Sequence, residues 1–471
     1  MAMTSFLICM LLFVAIGAAS MMKRKTTTTD YLVAGRDVSP WLAALSAVAT
    51  NNSGYMFIGM IGLTYTIGLS SIWLMLGWIL GDFLASLLMM KKLRLVSEKY
   101  DLHSFGSLLA AWNGTHFDRL RQMTGLLTIV FLGAYAAAQF TAGSKALHLL
   151  FGWDIGVGAL MGALMVLIYS YSGGIRASIW TDAAQSLVMM VAMVVLMIDA
   201  ASSLGSMVEI HVALNAVTPT FMDWMPDRSA VGILLFIVGW VFAGFGVAGQ
   251  PHIVVRYMAL DHADNIQQFR YWYYSWFITF YLATIAVGLL SRLILPDAGS
   301  FDAELALPMM AQQLLPEAMV GFVLAGLFAA TMSTADSLIL SCSASLSRDL
   351  MPEKSVGYHA TKGMTAIVVL VALWLSLSSE QSVFALVLIA WGLLAAAFVP
   401  LLMLYALNYQ PTEISAILVM VTGVAVFFIW RMSGGSELVY ELMPAMIAAL
   451  AIYPLIPSRF RSLAPGFSKR N

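Results

Sequence analysis

Long apolar runs separated by short polar stretches fill nearly the whole of this 471-residue chain. Thirteen segments can be marked, at 5–21, 41–68, 71–90, 123–149, 155–173, 178–200, 230–257, 271–294, 318–346, 361–378, 381–407, 413–430 and 438–456. Their lengths suit membrane helices of about 17–25 residues, longer where tilted or broken. Barrel strands would instead alternate in runs of about 10 residues. The pattern predicts an all-α polytopic membrane protein with 13 transmembrane helices.

Two of these segments carry polar residues where lipid-facing helices have none. Segment 41–68 holds Ala49-Thr50-Asn51-Asn52-Ser53-Gly54, and segment 230–257 holds several glycines followed by Gln250-Pro251-His252. Each leads a group of five segments, 41–200 and 230–407, once the first helix is set aside. An odd number of crossings gives the two groups opposite topology. Interrupted helices at corresponding places in two halves point to a binding site at the bilayer midplane. The expected organisation is an N-terminal helix and linker over 1–40, a first repeat over 41–200, an external loop over 201–229, a second, inverted repeat over 230–408, and two further helices with a cytoplasmic tail over 409–471.

Composition agrees with the pattern. The chain is 61% hydrophobic and 10% charged, against about 25% charged in soluble domains. A net charge of −1 gives no reason to expect nucleic acid. Cys9 and Cys342 fall in different apolar segments, and no His/Cys cluster has metal-ligand spacing. Lys23-Arg24-Lys25 follows the first apolar run rather than preceding it, which favours a retained helix with an outside N-terminus. With that orientation 20 of the 24 Lys and Arg residues fall on the cytoplasmic side, the exceptions being Lys145, Arg228, Arg292 and Arg431. Such a bias predicts a cytoplasmic C-terminus.

The candidate chemistry lies at membrane depth. Thr331-Met332-Ser333-Thr334-Ala335-Asp336-Ser337 stands in the middle of the ninth segment. Ser333 and Thr334 are about 100° apart on a helix, so both hydroxyls can border one cleft, with Asp336 and Ser337 one turn on. A cation held between this helix and an unwound stretch at 49–52 would meet backbone carbonyls and two hydroxyls. Asp182 lies near the cytoplasmic end of the sixth segment, as a second cation ligand, a gate residue or a helix N-terminal acid. Asp82 in the third segment is a similar acid. Paired acids, nucleophile–base sets and ring-like filter repeats are not evident, so enzyme and channel readings are set aside.

At these residues the chain resembles the sodium:solute symporter family, in particular its sodium/proline symporters. The resemblance runs from about 30 to 400. It is carried by Asp30-Tyr31-Leu32-Val33-Ala34-Gly35-Arg36, Trp180-Thr181-Asp182-Ala183-Ala184-Gln185, Gly249-Gln250-Pro251-His252-Ile253-Val254-Val255-Arg256, Met332-Ser333-Thr334-Ala335-Asp336-Ser337 and Ser347-Arg348-Asp349-Leu350. It implies a LeuT-type core of two inverted five-helix repeats, with one extra N-terminal and two extra C-terminal helices. It further implies a sodium site made by the carbonyls of Ala49, Asn52 and Ala330 with the hydroxyls of Ser333 and Thr334. A second sodium would use Asp182, Asp336 and Ser337 beside Ser333.

Substrate positions carried over are Asn51, Tyr55, Tyr135, Ala243 and Val247, with Gln139 one turn from Tyr135. Proline transporters have an acid at Asn51, a tryptophan at Tyr55, and a tryptophan and a tyrosine at Ala243 and Val247. Two aromatic walls are therefore expected to be missing, leaving room for another solute. The resemblance implies an inner-membrane symporter that couples sodium to proline, another small amino acid or an organic anion. The alternatives are a sugar or sialic-acid-like solute, proton coupling, or a membrane sensor. Its partners would be sodium, a small solute and the lipid bilayer. No organic cofactor and no obligatory protein partner are implied.

Overall fold

The computed structural model describes residues 1–457 and 461, apart from 24, 227–228, 298, 352–355 and 379–382. Arg228 and most of the C-terminal tail therefore lie outside the described residues. The described chain is almost wholly helical. Its principal helices are α1 (Ala2–Ser20), α2 (Pro40–Gly54), α3 (Ile61–Ile67), α4 (Ile72–Ala85), α5 (Asp118–Phe151), α6 (Ile155–Ser203), α7 (Ala230–Phe245), α8 (Pro251–Ala259), α9 (Ile266–Ile294), α10 (Glu317–Ser345), α11 (Tyr358–Leu377), α12 (Val383–Ala406), α13 (Glu413–Met432) and α14 (Leu442–Leu455). Among the described residues, ten helical stretches are long and apolar enough to cross a bilayer, α14 being shorter.

Several of these stretches are compound. Helix runs from Pro40 to Lys99 with only local breaks, covering two of the sequence segments. The 49-residue α6 is bent at Gly174, whose φ of 59° and ψ of −144° are not helical. That bend falls in the gap between segments 155–173 and 178–200, where the sequence places a turn.

The bundle is organised around α10. Every residue from Val323 to Ser345 is buried, so this helix touches lipid nowhere along that stretch. It packs against α5, α6 and α2, while α9 covers the other side of α2. α1 lies on α6 and α10, and α13 and α14 pack on each other and on α12. α4 and α7 approach especially closely. A Cβ on Gly81 would fall 1.9 Å from the Val241 carbonyl oxygen, and one on Gly244 1.9 Å from that of Trp78. Small residues at a membrane helix contact allow such backbone approach, where no hydrophobic driving force exists between helices. The polar segments singled out in the sequence thus meet inside the bundle, with apolar faces turned outward.

Candidate functional site

Both interrupted helices are broken, each at the polar residues. α2 begins with Pro40 at a position where the missing N–H costs nothing. It ends where Ser53 adopts φ 45° and ψ −172°. A non-glycine residue at positive φ is held there by its surroundings. Ser53 Oγ accepts the Tyr55 N–H at 3.1 Å and the Tyr135 hydroxyl proton at 3.2 Å. The Gly54 N–H is taken by Gln139 Oε1 at 3.0 Å. Tyr135 and Gln139 sit one turn apart on α5, so a single face of that helix holds the break. The second break runs through Gly246–Gly249 to an extended Gln250, and Pro251 starts α8. Gln250 Nε2 donates to the Trp391 carbonyl at 3.0 Å.

A helix that stops inside the membrane leaves its last carbonyls without intrahelical partners. The α10 hydroxyls reach the last turns of α2. Thr334 Oγ1 donates at 3.1 Å to the Thr50 carbonyl and lies 3.2 Å from that of Ala330. Ser333 Oγ lies 3.1 Å from the Ala330 carbonyl and 3.5 Å from that of Ala49. Ala49, Ala330, Ser333 and Thr334 are therefore gathered in one place. Asn52 belongs to the same turn of α2, but its contacts run along that helix: its carbonyl accepts the Tyr55 N–H, and its amide donates to the Val48 carbonyl at 2.6 Å. Thr50 is the residue that the sequence analysis passed over. The donor set is all oxygen and uncharged, which suits a hard monovalent cation, and hydroxyls can turn their lone pairs toward it.

Beside this cleft lies a buried charge cluster. Asp182 Oδ2 accepts from Ser46 Oγ at 2.7 Å and from Arg256 Nη2 at 2.9 Å, and both charged side chains are fully buried. The same guanidinium donates to Ser178 Oγ at 2.8 Å and to Ser337 Oγ. Asp336 Oδ1 accepts from Ser337 at 2.8 Å and from Ser178 at 3.2 Å. Asp182, Asp336 and Ser337 thus do come together, but around a guanidinium. Asp182 meets the guanidinium directly, and Asp336 reaches it through the Ser178 and Ser337 hydroxyls. Arg256 was legible only as the last residue of the Gln250-Pro251-His252 motif, with nothing to mark it as the partner of Asp182.

The carried-over substrate positions are all interior: Asn51, Tyr55, Tyr135, Gln139, Ala243 and Val247 are buried. Asn51 Nδ2 donates to the Tyr273 hydroxyl at 2.6 Å. The space beside Ala243 is occupied from other helices. Trp391 of α12 donates its indole N–H to the Ala243 carbonyl at 2.9 Å. Trp78 of α4 lies 5.0 Å from Trp391 and 5.5 Å from Tyr55 between ring centroids. The expected loss of aromatic walls at positions 243 and 247 is therefore offset by tryptophans that the sequence gave no reason to place there. Around the first break, Gln139 Nε2, Asn51 Oδ1, Asn52 Oδ1 and both ring nitrogens of His252 are buried with no hydrogen-bond partner among the described residues.

The model of the sodium:solute symporter family matches residues 31–423. The chain is 29% identical over 443 residues to the sodium/proline symporter 2 of Staphylococcus saprophyticus, covering 90% of this chain and 86% of that one. It is 29% identical over 463 residues to the sodium/proline symporter of Staphylococcus aureus, covering 94% and 89%. Among solved structures it resembles a Na+-coupled sialic acid symporter in a substrate-bound outward-open state, with a TM-score of 0.80 at 20% identity over 98% of this chain and 99% of that one. It also resembles Mhp1, a nucleobase-cation-symport-1 family transporter, with a TM-score of 0.60 at 14% identity over 92% and 96%. Those structural likenesses establish a shared LeuT-type transporter fold. With most of its length matching the family model, the chain belongs to the sodium:solute symporter family.

Proposed function

We propose that this symporter couples inward sodium movement to uptake of a small organic solute across the cytoplasmic membrane. Proline, another small amino acid or an organic anion is the first solute class, and a sugar or sialic-acid-like solute the second. The observation that carries the reading is the meeting of Ser333 and Thr334 with the Ala49 and Thr50 carbonyls at the end of a broken helix. Sodium there would tie α2 to α10 and fix the turn that carries Asn51 and Tyr55. Substrate would then find a formed site, and its binding energy would close the outer path. Each sodium moving down a potential of about 100 mV supplies about 2.3 kcal/mol, besides its concentration term.

The topology belongs to the same proposal. α2 with α3 and α7 with α8 each count as one crossing, α6 counts as two, and α14 is included, which gives 13 in all. Residues 41–200 and 230–408 are the inverted repeats, 201–229 is the external loop between them, and 409–471 adds the last two helices. The N-terminus lies outside and the C-terminus in the cytoplasm. Asp182, Asp336 and Ser337 form a second sodium position beside Arg256.

The test is sodium-dependent uptake of labelled L-proline and sialic acid in proteoliposomes, with sodium-induced thermal stabilisation read alongside. Ser333→Ala and Thr334→Ala are expected to raise the sodium concentration needed for half-maximal stabilisation on the order of tenfold, the cost of one lost buried polar contact. Unchanged sodium dependence in both variants would sink the site.

A further inference from the structure

Asp82, on α4, is fully buried at membrane depth. Tyr273 donates to its Oδ2 at 2.7 Å, Asn51 Nδ2 lies 3.4 Å from the same oxygen, and Tyr274 donates to Oδ1 at 3.1 Å. Among the described residues no Lys, Arg or His lies within ion-pair distance of it. Two other buried acids have a cationic partner, Asp182 with Arg256 and Asp30 with Arg176 at 2.6 Å, whereas Asp349, like Asp82, is met by neutral donors. An isolated ionised carboxylate in the bilayer interior is costly, and neutral donors reduce that cost without cancelling the charge. The carboxylate therefore calls for a positive ligand. The atoms that surround it are hydroxyl and amide donors already turned toward it, rather than a shell of free acceptor oxygens. A proton fits that setting without rebuilding it.

A route for the proton is present. Ser86 lies one turn beyond Asp82 on the same helical run, and the Tyr274 hydroxyl interacts with it. Arg270, half-buried at the basic end of the bundle, donates to the Ser86 carbonyl at 2.6 Å and to Ser86 Oγ at 3.2 Å. Hydroxyls thus connect Asp82 to a guanidinium at the rim. The titratable groups facing Asp82 are Tyr273, Tyr274 and Tyr281 from α9 and Tyr257 from α8. Arg270 acts on Tyr274 and Tyr257. α2 presents Asn51, and α7 presents Val241 and Phe245 across Gly81.

We propose that Asp82 is a proton-binding site, loaded and emptied through Tyr274 and Ser86, whose occupancy is tied to the broken turn of α2 through Asn51. In the loading step, water at the rim gives a proton to the Ser86 hydroxyl, which passes one to Tyr274. Tyr274 in turn passes one to Asp82 Oδ1. The hydroxyls end as they began, and one hydroxide is left in the water. A cation entering beside Ala49 and Thr50 favours the ionised form of the carboxylate that Asn51 of the same turn contacts. Sodium therefore expels the proton, and by reciprocity the proton weakens sodium binding. The protein would then exchange protons against sodium at a site that the symporter reading does not use.

Infrared difference spectroscopy of the purified protein between alkaline and acidic buffer tests this. The wild type is expected to show a protonated-carboxyl band that titrates and that shrinks when sodium chloride replaces choline chloride at acidic pH. Asp82→Asn should lack the band, and Asp82→Glu should keep it at a shifted frequency, which covers the case in which the Asn variant does not fold. A wild type without the band, a band unshifted in Asp82→Glu, a band lost in Asp182→Asn or Asp336→Asn instead, or a band indifferent to sodium would each overturn the proposal. The band reports on Asp82 itself, so a failed sodium site at Ser333 leaves a separate signature in the stabilisation assay.

Discussion

Arg256 and Asp182 form an ion pair 2.9 Å long with neither side chain exposed to solvent. They come from different halves of the chain, α8 and the second part of α6. The pair therefore clamps the second arm of one broken helix to the helix that packs on the other. Removing one member of a buried pair leaves an unmatched charge, which typically costs about 3–5 kcal/mol. Arg256→Gln is expected to lose that much, since it strands both Asp182 and Asp336. Adding Asp182→Asn should restore part of the loss. Thermal unfolding of the two single variants and the double variant in detergent checks this. Additive losses would mean that the pair is not coupled.

Gly244 is expected to tolerate no side chain. A Cβ there meets the Trp78 carbonyl at 1.9 Å, so Gly244→Ala must push α4 and α7 apart, at a cost of about 1–3 kcal/mol. Gly363 on α11 has nothing within 4 Å of its would-be Cβ. Gly363→Ala should be neutral or stabilising by up to about 1 kcal/mol through helix propensity. Comparing melting temperatures of the two variants decides whether space or backbone freedom governs these glycines.

His103 gives a pH dependence with a definite sign. It lies in the loop before Ser104, where burial pushes its imidazole below the ordinary range, partly opposed by the Asp101 carboxylate 3.3 Å away. A base whose folded value is depressed binds fewer protons folded than unfolded near pH 6.5. Its contribution to stability is complete above the unfolded value and is lost as pH falls through the folded one. Melting curves taken from neutral to mildly acidic pH should show this loss in the wild type, and His103→Gln should flatten it.

Gln139 supports the first break through one contact. Its Oε1 takes the Gly54 N–H, and because a backbone N–H can only donate, the orientation of the amide is fixed. Gln139→Leu leaves that N–H buried and unmet, at about 1–3 kcal/mol. Gln139→Glu keeps the acceptor and should lose less. Equal losses in the two variants would show that packing, not the hydrogen bond, is what Gln139 provides.

Much of this architecture was legible because lipid penalises polar backbone and side chains so heavily. Asn51-Asn52 and Gln250-Pro251-His252 stood out as breaks for that reason; the second falls at Gln250 as expected, while residues 49–52 stay helical and the first falls one residue later, at Ser53. Ser333 and Thr334 were legible from helical spacing alone. What the sequence did not display are partnerships across the fold. Asp182 and Arg256 are 74 residues apart, and Asp82 meets Tyr273 across 191. Trp391 fills space that was counted as vacant from α7 alone, since a wall position says nothing about which other helix leans into it. The Asn52 amide turns back onto the Val48 carbonyl of its own helix, a local choice that residue type does not dictate.

The Ser53 kink has a kinetic consequence. A helix that had to unwind during every turnover would add the breaking of several backbone hydrogen bonds to the activation barrier. Here the interruption is already formed and is held by Tyr135 and Gln139. Opening and closing can then proceed as the tilting of finished pieces, and the speed of the cycle is set by how fast whole helices slide past one another rather than by melting and rewinding of secondary structure.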